Sequence, residues 1–411
     1  MRLVIVSFFY QPEPNDIKIH LLAKELVARG HTVTTITTFP NYPSGRIYDG
    51  YKQRLWQKEM KDGVRIFRVP LYPNHTRSGV KRALSYASFM FTAATLGLLR
   101  CGRADVMWVY HPPLTTGVAG VWMSFIRRAP FVLDIQDMWP ETLKATGMLN
   151  NEKALHWIGR VANWIYRRAR ALTVNAPGMK TSIIQKGISA DKIFVMPNWA
   201  DETIYMPKPQ DPAIGEQYGL KNKFNILFAG NMGLVQALDK VIASAELLTD
   251  LPHVQFVMIG DGLEYDNLQK MVTAKNLTNV VFLGRHPAST MPDFFAWADG
   301  LLITLTDDPL YTMTIPSKTQ SYLACGRPII CAVAGDGADV VNEAKAGFTV
   351  PPENPSALAD AIRRLYALSP SERDVLGANG RQAYLDHFQQ KTIVDRYEQV
   401  FLDVMKKRKR A

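Results

Sequence analysis

The feature that most constrains this chain is an alternation, made twice, of short apolar runs with stretches of helical periodicity. In the first half, apolar or β-branched runs at residues 3–9, 31–37, 65–69, 106–110, 131–135, 171–175 and 192–196 read as strands. Between the first two, Ile19, Leu22, Leu26 and Val27 recur at helical spacing and the pattern stops at Gly30. Unbroken apolar runs belong to strands covered on both faces, and strand–helix alternation calls for a parallel sheet with helices on both sides. After Pro197-Asn198-Trp199 and a polar stretch at 207–212, which read as a linker, the pattern restarts at 224–229, 254–259, 280–283, 300–304, 328–332 and 347–350. Helices are expected at 238–248 and 356–368, and a last one at 392–407. The expected class is α/β, with two Rossmann-like parallel-sheet domains facing each other across a cleft. The first covers residues 1–200 and the second 201–385, while 386–411 forms a C-terminal helix that packs back on the first domain and ends in a basic tail. Ligands of such sheets bind beyond the strand C-termini, so the chemistry is sought in the turns that follow strands.

A chain of 411 residues with 47% hydrophobic and 21% charged residues excludes disorder over most of its length. Cys101, Cys325 and Cys331 are too few and too far apart for a disulfide framework or a zinc cluster. The first apolar run ends in Gln11-Pro12-Glu13-Pro14 with no small-residue cleavage site, so it reads as a buried strand rather than a signal peptide. The uncharged stretch at residues 83–99, between Arg82 and Arg100, falls short of the roughly 20 apolar residues that span a bilayer and reads as a buried or interfacial helix. The net charge of +11 is uneven: residues 1–200 hold 27 Lys/Arg against 12 Asp/Glu, and residues 201–411 hold 21 against 25. The first half therefore faces something anionic, such as a membrane surface, phosphates or nucleic acid. Its excess gathers at residues 52–100 and 155–170. In the latter, Trp157, Ile158, Val161, Trp164 and Ile165 share a helix with Arg160, Arg167, Arg168 and Arg170. That is the composition of an interfacial helix, or of a core helix with a basic outer face.

In the second half three turns after strands carry glycine: Gly230-Asn231-Met232-Gly233, Gly260-Asp261-Gly262 and Gly284-Arg285. Gly230 and Gly233 permit a tight turn, and the N–H groups of a following helix N-terminus suit a phosphate. Pro316-Ser317 opens a further helix, with Ser317 as its cap or Pro316 at its start, and Lys318 falls in the first turn. A cation there opposes the helix dipole unless an anion is bound, so Lys318 with the Gly230–Gly233 turn is a candidate diphosphate site. No G-x-G-x-x-G follows the first strand and no G-x-x-x-x-G-K-[ST] occurs, which argues against a dinucleotide dehydrogenase and a P-loop NTPase. In the first half, His111-Pro112-Pro113 and Gln136-Asp137-Met138-Trp139-Pro140-Glu141 end neighbouring strands. His111 and Asp137 are candidate groups for gripping a hydroxyl-rich ligand; the alternatives are a structural His in the turn and a helix-capping Asp. The aromatic, proline-rich loop at 39–45 could shape an acceptor site.

Taken together, Gly260-Asp261-Gly262-Leu263-Glu264, Phe282-Leu283-Gly284 and Pro316-Ser317-Lys318 through Ala324-Cys325-Gly326-Arg327-Pro328 resemble the nucleotide-sugar half of GT-B glycosyltransferases of family 4. In the first half, residues 26–33 (Leu-Val-Ala-Arg-Gly-His-Thr-Val), Pro40-Asn41-Tyr42-Pro43-Ser44-Gly45, Asp137-Met138-Trp139-Pro140-Glu141 and Pro197-Asn198-Trp199 resemble the subgroup that builds O-antigen, colanic acid and capsule, and within it N-acetyl-L-fucosaminyltransferases. The resemblance implies a nucleoside diphosphate sugar, UDP-linked, on the second domain. Its pyrophosphate would lie at Gly230, Asn231, Gly233 and Lys318, with Gly260, Asp261, Pro316, Ser317 and Ser321 around it and the base near Gly284 and Arg285. It implies a polyprenyl diphosphate-linked acceptor on the basic first domain at the cytoplasmic face of the inner membrane, retention of anomeric configuration, and no metal or cofactor. Lys318, Asp137 and His111 are the catalytic candidates. The chain departs from the family where Met313 and Ser321 replace two Glu, where Asn231 and Gln236 replace Arg and Lys, and where Gln136 replaces a His before the Asp. The rival readings are a UDP-sugar 2-epimerase of the same architecture and a nucleic-acid binder; no RRM, KH or helix-turn-helix signature supports the latter.

Overall fold

The computed structural model describes residues 1–14, 17–76 and 78–409, the side chains of residues 17 and 407–409 excepted. The basic tail expected beyond Lys406 therefore lies largely outside the described residues. The chain divides into one unit of Met1–Pro197 with Ile393–Ala411 and a second of Asn198–Thr392. These bounds differ by a few residues from 200 and 385. Trp199, expected in a linker, is buried, and the adjacent Ala200 joins the second unit's apolar core.

The first unit is built on β1 (Arg2–Val6), β2 (Thr32–Thr38), β3 (Gln57–Lys61), β4 (Val64–Val69), β5 (Val106–His111), β6 (Phe131–Ile135), β7 (Ala171–Val174) and β8 (Ile193–Val195). They form one sheet in the order β3-β4-β2-β1-β5-β6-β7-β8. Residues 3–6 and every residue of β5 and β6 are buried, as unbroken apolar runs require of strands covered on both faces. The sheet is not wholly parallel, as the alternation had implied. β3 pairs antiparallel with β4, with Lys61 opposite Val64 across an Asp62-Gly63 turn in which both residues have positive φ. Asp-Gly is a two-residue hairpin signal. It closes an edge strand whose Gln-Lys-Glu-Met-Lys sequence leaves no apolar periodicity to read.

The second unit holds β9 (Phe224–Ala229), β10 (Val254–Ile259), β11 (Val280–Gly284), β12 (Gly300–Thr304), β13 (Ile329–Ala332) and β14 (Gly347–Thr349). Its order is β11-β10-β9-β12-β13-β14, and every pair is parallel. The winding reverses between β9 and β12, and in the first unit between β1 and β5. Open α/β sheets bind ligands at such switch points, outside the strand C-termini.

The last helix, Gln390–Lys409, begins in the second unit and re-enters the first at Ile393. There Tyr397 donates its hydroxyl to the buried Asp134 carboxylate at 2.5 Å, and Thr173 donates to the same oxygen at 2.5 Å. Lys18 donates to the other oxygen at 3.3 Å. A buried carboxylate is tolerated only when its lone pairs are met in this way, so the chain terminus completes the first unit's core.

Candidate active site

In the second unit, the turn after β9 meets the start of the Lys318–Cys325 helix across the switch point. The Gly230 turn is fixed from two sides. Its own N–H donates to Ile259 at 2.9 Å, and Met232 N–H donates to Asp261 at 2.8 Å. Gly260 and Gly262 must be glycine here: both have positive φ, and a Cβ would collide with the carbonyls of Gly230 and Met232. Gly260 N–H in turn donates to Gly284 at 2.8 Å. The three glycine turns thus form one backbone platform at the ends of β9, β10 and β11. The N–H groups of Asn231 and Gly233 have no protein partner among the described residues.

Lys318 stands over this platform. A Cβ added to Gly230 would lie 3.4 Å from its Nζ. The ammonium donates to Gln236 Oε1 at 2.8 Å and sits 3.8 Å from the centre of the Phe228 ring. No carboxylate pairs with it among the described residues. Desolvation pulls its pKa down to about 7. A half-buried lysine placed without an anion beside free N–H groups is suited to an anionic ligand.

The helix that carries Lys318 is positioned by Tyr322, which sequence reasoning did not single out. Its buried hydroxyl accepts the Ala229 N–H at 3.0 Å, tying the helix to the residue before Gly230. The available signal was spacing, because Tyr322 lies one turn beyond Lys318. Two local expectations are corrected. Ser317 is exposed, with helical φ and ψ and no capping bond from its side chain, and Pro316 precedes it rather than opening the helix. Pro316 contributes its carbonyl, which accepts the Thr319 N–H at 2.9 Å. Nor does a helix follow Gly233 directly. A 3-10 turn at Leu234–Gln236 and a left-handed Ala237 intervene before the Leu238–Glu246 helix, and this turn is what aims Gln236 at Lys318.

The other expected residues scatter around this centre. Asn231, Asp261 and Arg285 are exposed at the turns that follow β9, β10 and β11, and Arg285 stands beyond the edge strand. Ser321 is half-buried on the Lys318–Cys325 helix, one turn beyond Ser317.

In the first unit, the loops after β1, β2 and β6, the Gly79–Thr92 helix and the end of β5 build an aromatic wall at the other switch point. Ring contacts run from Tyr42 to Phe9 (5.2 Å), Phe9 to Phe8 (5.0 Å), Phe8 to Tyr86 (5.2 Å), Tyr86 to Trp139 (6.2 Å) and Trp139 to His111 (5.7 Å). Glu13 holds the wall in register. Its buried carboxylate accepts the N–H groups of Asn41 and Tyr42 at 2.7 and 2.8 Å. His111 is wholly buried, neither ring nitrogen has a partner among the described residues, and desolvation lowers its pKa to about 3, so it is neutral. Asp137 is half-buried, has no hydrogen-bond partner among the described residues, and is pushed up to about 6 by desolvation. The structure places Asp137, and not His111, at the accessible edge. Fixed aromatic faces beside one carboxyl form a surface suited to a sugar.

Two α/β units of this order, parallel throughout but for the β3 edge of the first and each with a candidate site at its switch point, define the GT-B class. The comparisons with known proteins agree. Residues 18–199 match the glycosyl transferase 4-like domain and residues 223–367 the glycosyl transferases group 1 domain. The chain is a glycosyltransferase of the GT-B superfamily. It is 27% identical over 385 residues to Escherichia coli (strain K12) WcaI, whose name assigns it to colanic acid biosynthesis, covering 90% of this chain and 93% of that one. It is 27% identical over 309 residues to WbjE of Pseudomonas aeruginosa, also named a glycosyltransferase, covering 72% and 75%. Among solved structures, Anabaena HepE in complex with UDP superposes with a TM-score of 0.75 at 19% identity, covering 98% of this chain and 100% of that one. A sucrose-phosphate synthase from Thermosynechococcus elongatus gives 0.73 at 18%, covering 98% of each.

Proposed function

We propose that this enzyme transfers a glycosyl unit from a UDP-sugar to a hydroxyl of a polyprenyl diphosphate-linked acceptor in bacterial surface polysaccharide synthesis, with retention of configuration. One observation carries the donor half of the reading: Lys318 Nζ lies over the Gly230 backbone, without a carboxylate partner among the described residues. A leaving diphosphate develops charge as the glycosidic bond breaks, and preorganised donors aimed at that charge lower the barrier. Lys318 and the N–H groups of Asn231 and Gly233 supply them, standing in for the Arg and Lys that the resemblance would place at Asn231 and Gln236. The UDP held by HepE supports the choice of nucleotide. The relatives named for colanic acid and glycosyl transfer support the pathway class, and N-acetyl-L-fucosamine is one sugar of the donor panel.

The acceptor half rests on Asp137 beside the aromatic wall and on the outer face of the first unit. No helix among the described residues is long and apolar enough to cross a membrane. Three helices nevertheless expose apolar side chains in stripes: Leu84 and Phe91 on Gly79–Thr92, Trp122 and Phe125 on Leu114–Arg127, and Trp157, Val161 and Trp164 on Glu152–Arg168. Phe91, Phe125 and Trp157 are 67%, 72% and 62% exposed. Large rings left in water on helices that also carry Arg82, Arg127, Arg160 and Arg168, the last two lying over Trp157 and Trp164, suit an anionic bilayer surface better than nucleic acid. The test is a panel of nucleotide sugars assayed for transfer to a polyprenyl diphosphate-linked sugar, with the product anomer read by NMR. Transfer from a UDP-sugar with retention is expected. Epimerisation of a UDP-sugar without an acceptor would favour the rival instead.

A further inference from the structure

A cavity of about 420 Å³ opens on the first unit between the Glu141–Ala145 helix, the Glu152–Arg168 helix and Lys186, and no step above uses it. Three cations line it: Lys144, Arg160 and Lys186. Lys186 donates to Glu141 Oε1 at 2.5 Å and Lys144 to Glu152 Oε1 at 2.9 Å. Arg160 has no carboxylate among the described residues. The walls also hold two unmet acceptors, because Glu141 Oε2 and Asn163 Oδ1 are buried without a hydrogen-bond partner among the described residues. A site with a free guanidinium for an anion and orphan acceptors for hydroxyls is complementary to a phosphate that carries hydroxyls beside it.

What joins this cavity to the bilayer is the helix itself. Glu152, His156, Gly159, Arg160 and Asn163 follow one another at spacings of three, four and one, and so share the face that lines the cavity. Trp157, Val161 and Trp164 occupy the neighbouring, exposed stripe. Arg160 belongs to both: it lines the cavity, and its guanidinium lies 5.1 Å from the Trp157 ring centre. Pro140, 3.7 Å from the position of a Cβ on Gly159, links the cavity to the loop that carries Asp137.

We infer that this cavity binds the phosphate of a membrane lipid with a hydroxylated head, while Trp157, Val161 and Trp164 enter the interface beside it. The inference rests on the membrane-surface reading above. Such a phosphate belongs either to a bulk glycerophospholipid or to the lipid acceptor, and the two sources are separable.

The experiment is vesicle co-sedimentation of the full chain with three compositions: phosphatidylcholine alone, phosphatidylcholine with phosphatidylglycerol, and phosphatidylcholine with a polyprenyl diphosphate-linked sugar. Arg160→Ala is compared with Arg168→Ala. The two make the same charge change on one helix, but Arg168 stacks at 5.5 Å on Trp164 and does not line the cavity. Arg160 is exposed, and circular dichroism checks that the variants are folded. Arg168→Ala should cost the ordinary surface-charge factor, about fivefold. Arg160→Ala should cost on the order of 50-fold, as for a charged hydrogen bond in a formed site. The composition that shows this gap identifies the lipid. Equal losses for both variants, with binding still lost in Trp157→Ala, overturn the cavity and leave the membrane reading standing. Full competition by soluble glycerol phosphate at matched phosphate overturns the lipid requirement. Absence of binding to every composition overturns both readings.

Discussion

Lys318 Nζ donates to the side-chain oxygen of Gln236 at 2.8 Å, so the cation of the second unit's switch point is held by a neutral amide rather than by an acid. The amide fixes the ammonium's place over Gly230 without neutralising it. Gln236→Glu would supply the missing counter-charge. It should weaken UDP binding more than Gln236→Ala does, by roughly tenfold or more for a half-buried ion pair that must be broken. Titration calorimetry on the two variants checks the order.

The depressed pKa of Lys318, about 7, makes donor binding pH-dependent near neutrality. A bound diphosphate favours the ammonium and raises that pKa. Affinity is therefore full below about pH 7 and falls as pH rises above it, by up to about tenfold per pH unit until the pKa of the bound state is passed. Lys318→Arg should flatten the profile, because guanidinium stays charged throughout. UDP affinity measured between pH 6 and 9 in both proteins reads this directly.

The same residue trades stability for binding. Its folded pKa lies below the unfolded value of about 10.4, so the unfolded chain binds more protons between the two values. The cost to the folded state is greatest below pH 7 and fades as pH rises toward 10. Lys318→Met should raise the thermal midpoint of the ligand-free protein, and by more at pH 6 than at pH 9. Scanning calorimetry at the two pH values checks the sign.

Tyr322 holds the helix of Lys318 to the strand that ends at Gly230. Tyr322→Phe leaves the buried Ala229 N–H without its partner and should cost about 1–3 kcal/mol. A purely structural role would lower stability alone. A positioning role also weakens UDP binding at temperatures where the variant is folded, which denaturant titration and calorimetry separate.

Asp137, pushed up to about 6, is protonated below that pH and a carboxylate above it. If it accepts an acceptor hydroxyl, the KM for the acceptor rises as pH falls through 6 while the KM for the donor does not. Asp137→Asn should remove the dependence and lower kcat/KM by about 100-fold. Wild-type turnover in Asp137→Asn would take it out of the site.

How much of this was legible in the sequence follows from which signals are local. The strands of both sheets announce themselves because burial on two faces requires unbroken apolar runs, as in Val106–His111. β3 does not, because its register is set by the Asp62-Gly63 turn and its exposed Lys and Glu carry no periodicity. Lys318 stood out because a cation at a helix start is unfavourable by itself. Its partners did not, since Gln236 reaches it through a 3-10 turn that depends on a left-handed Ala237, and Tyr322 through a contact 93 residues away in sequence. The aromatic wall joins Tyr42, Phe9, Tyr86 and Trp139 from four separate segments, which only the topology brings together.

The central claim is that Lys318 and the Gly230–Gly233 turn hold the diphosphate of the donor. The most direct measurement is the affinity of UDP, compared with that of uridine, for the wild-type chain and for Lys318→Ala by titration calorimetry. UDP should bind the wild type, and Lys318→Ala should lose on the order of 100-fold in affinity for UDP, as for a charge-assisted contact, with little change for uridine. Unchanged UDP affinity in Lys318→Ala would contradict it.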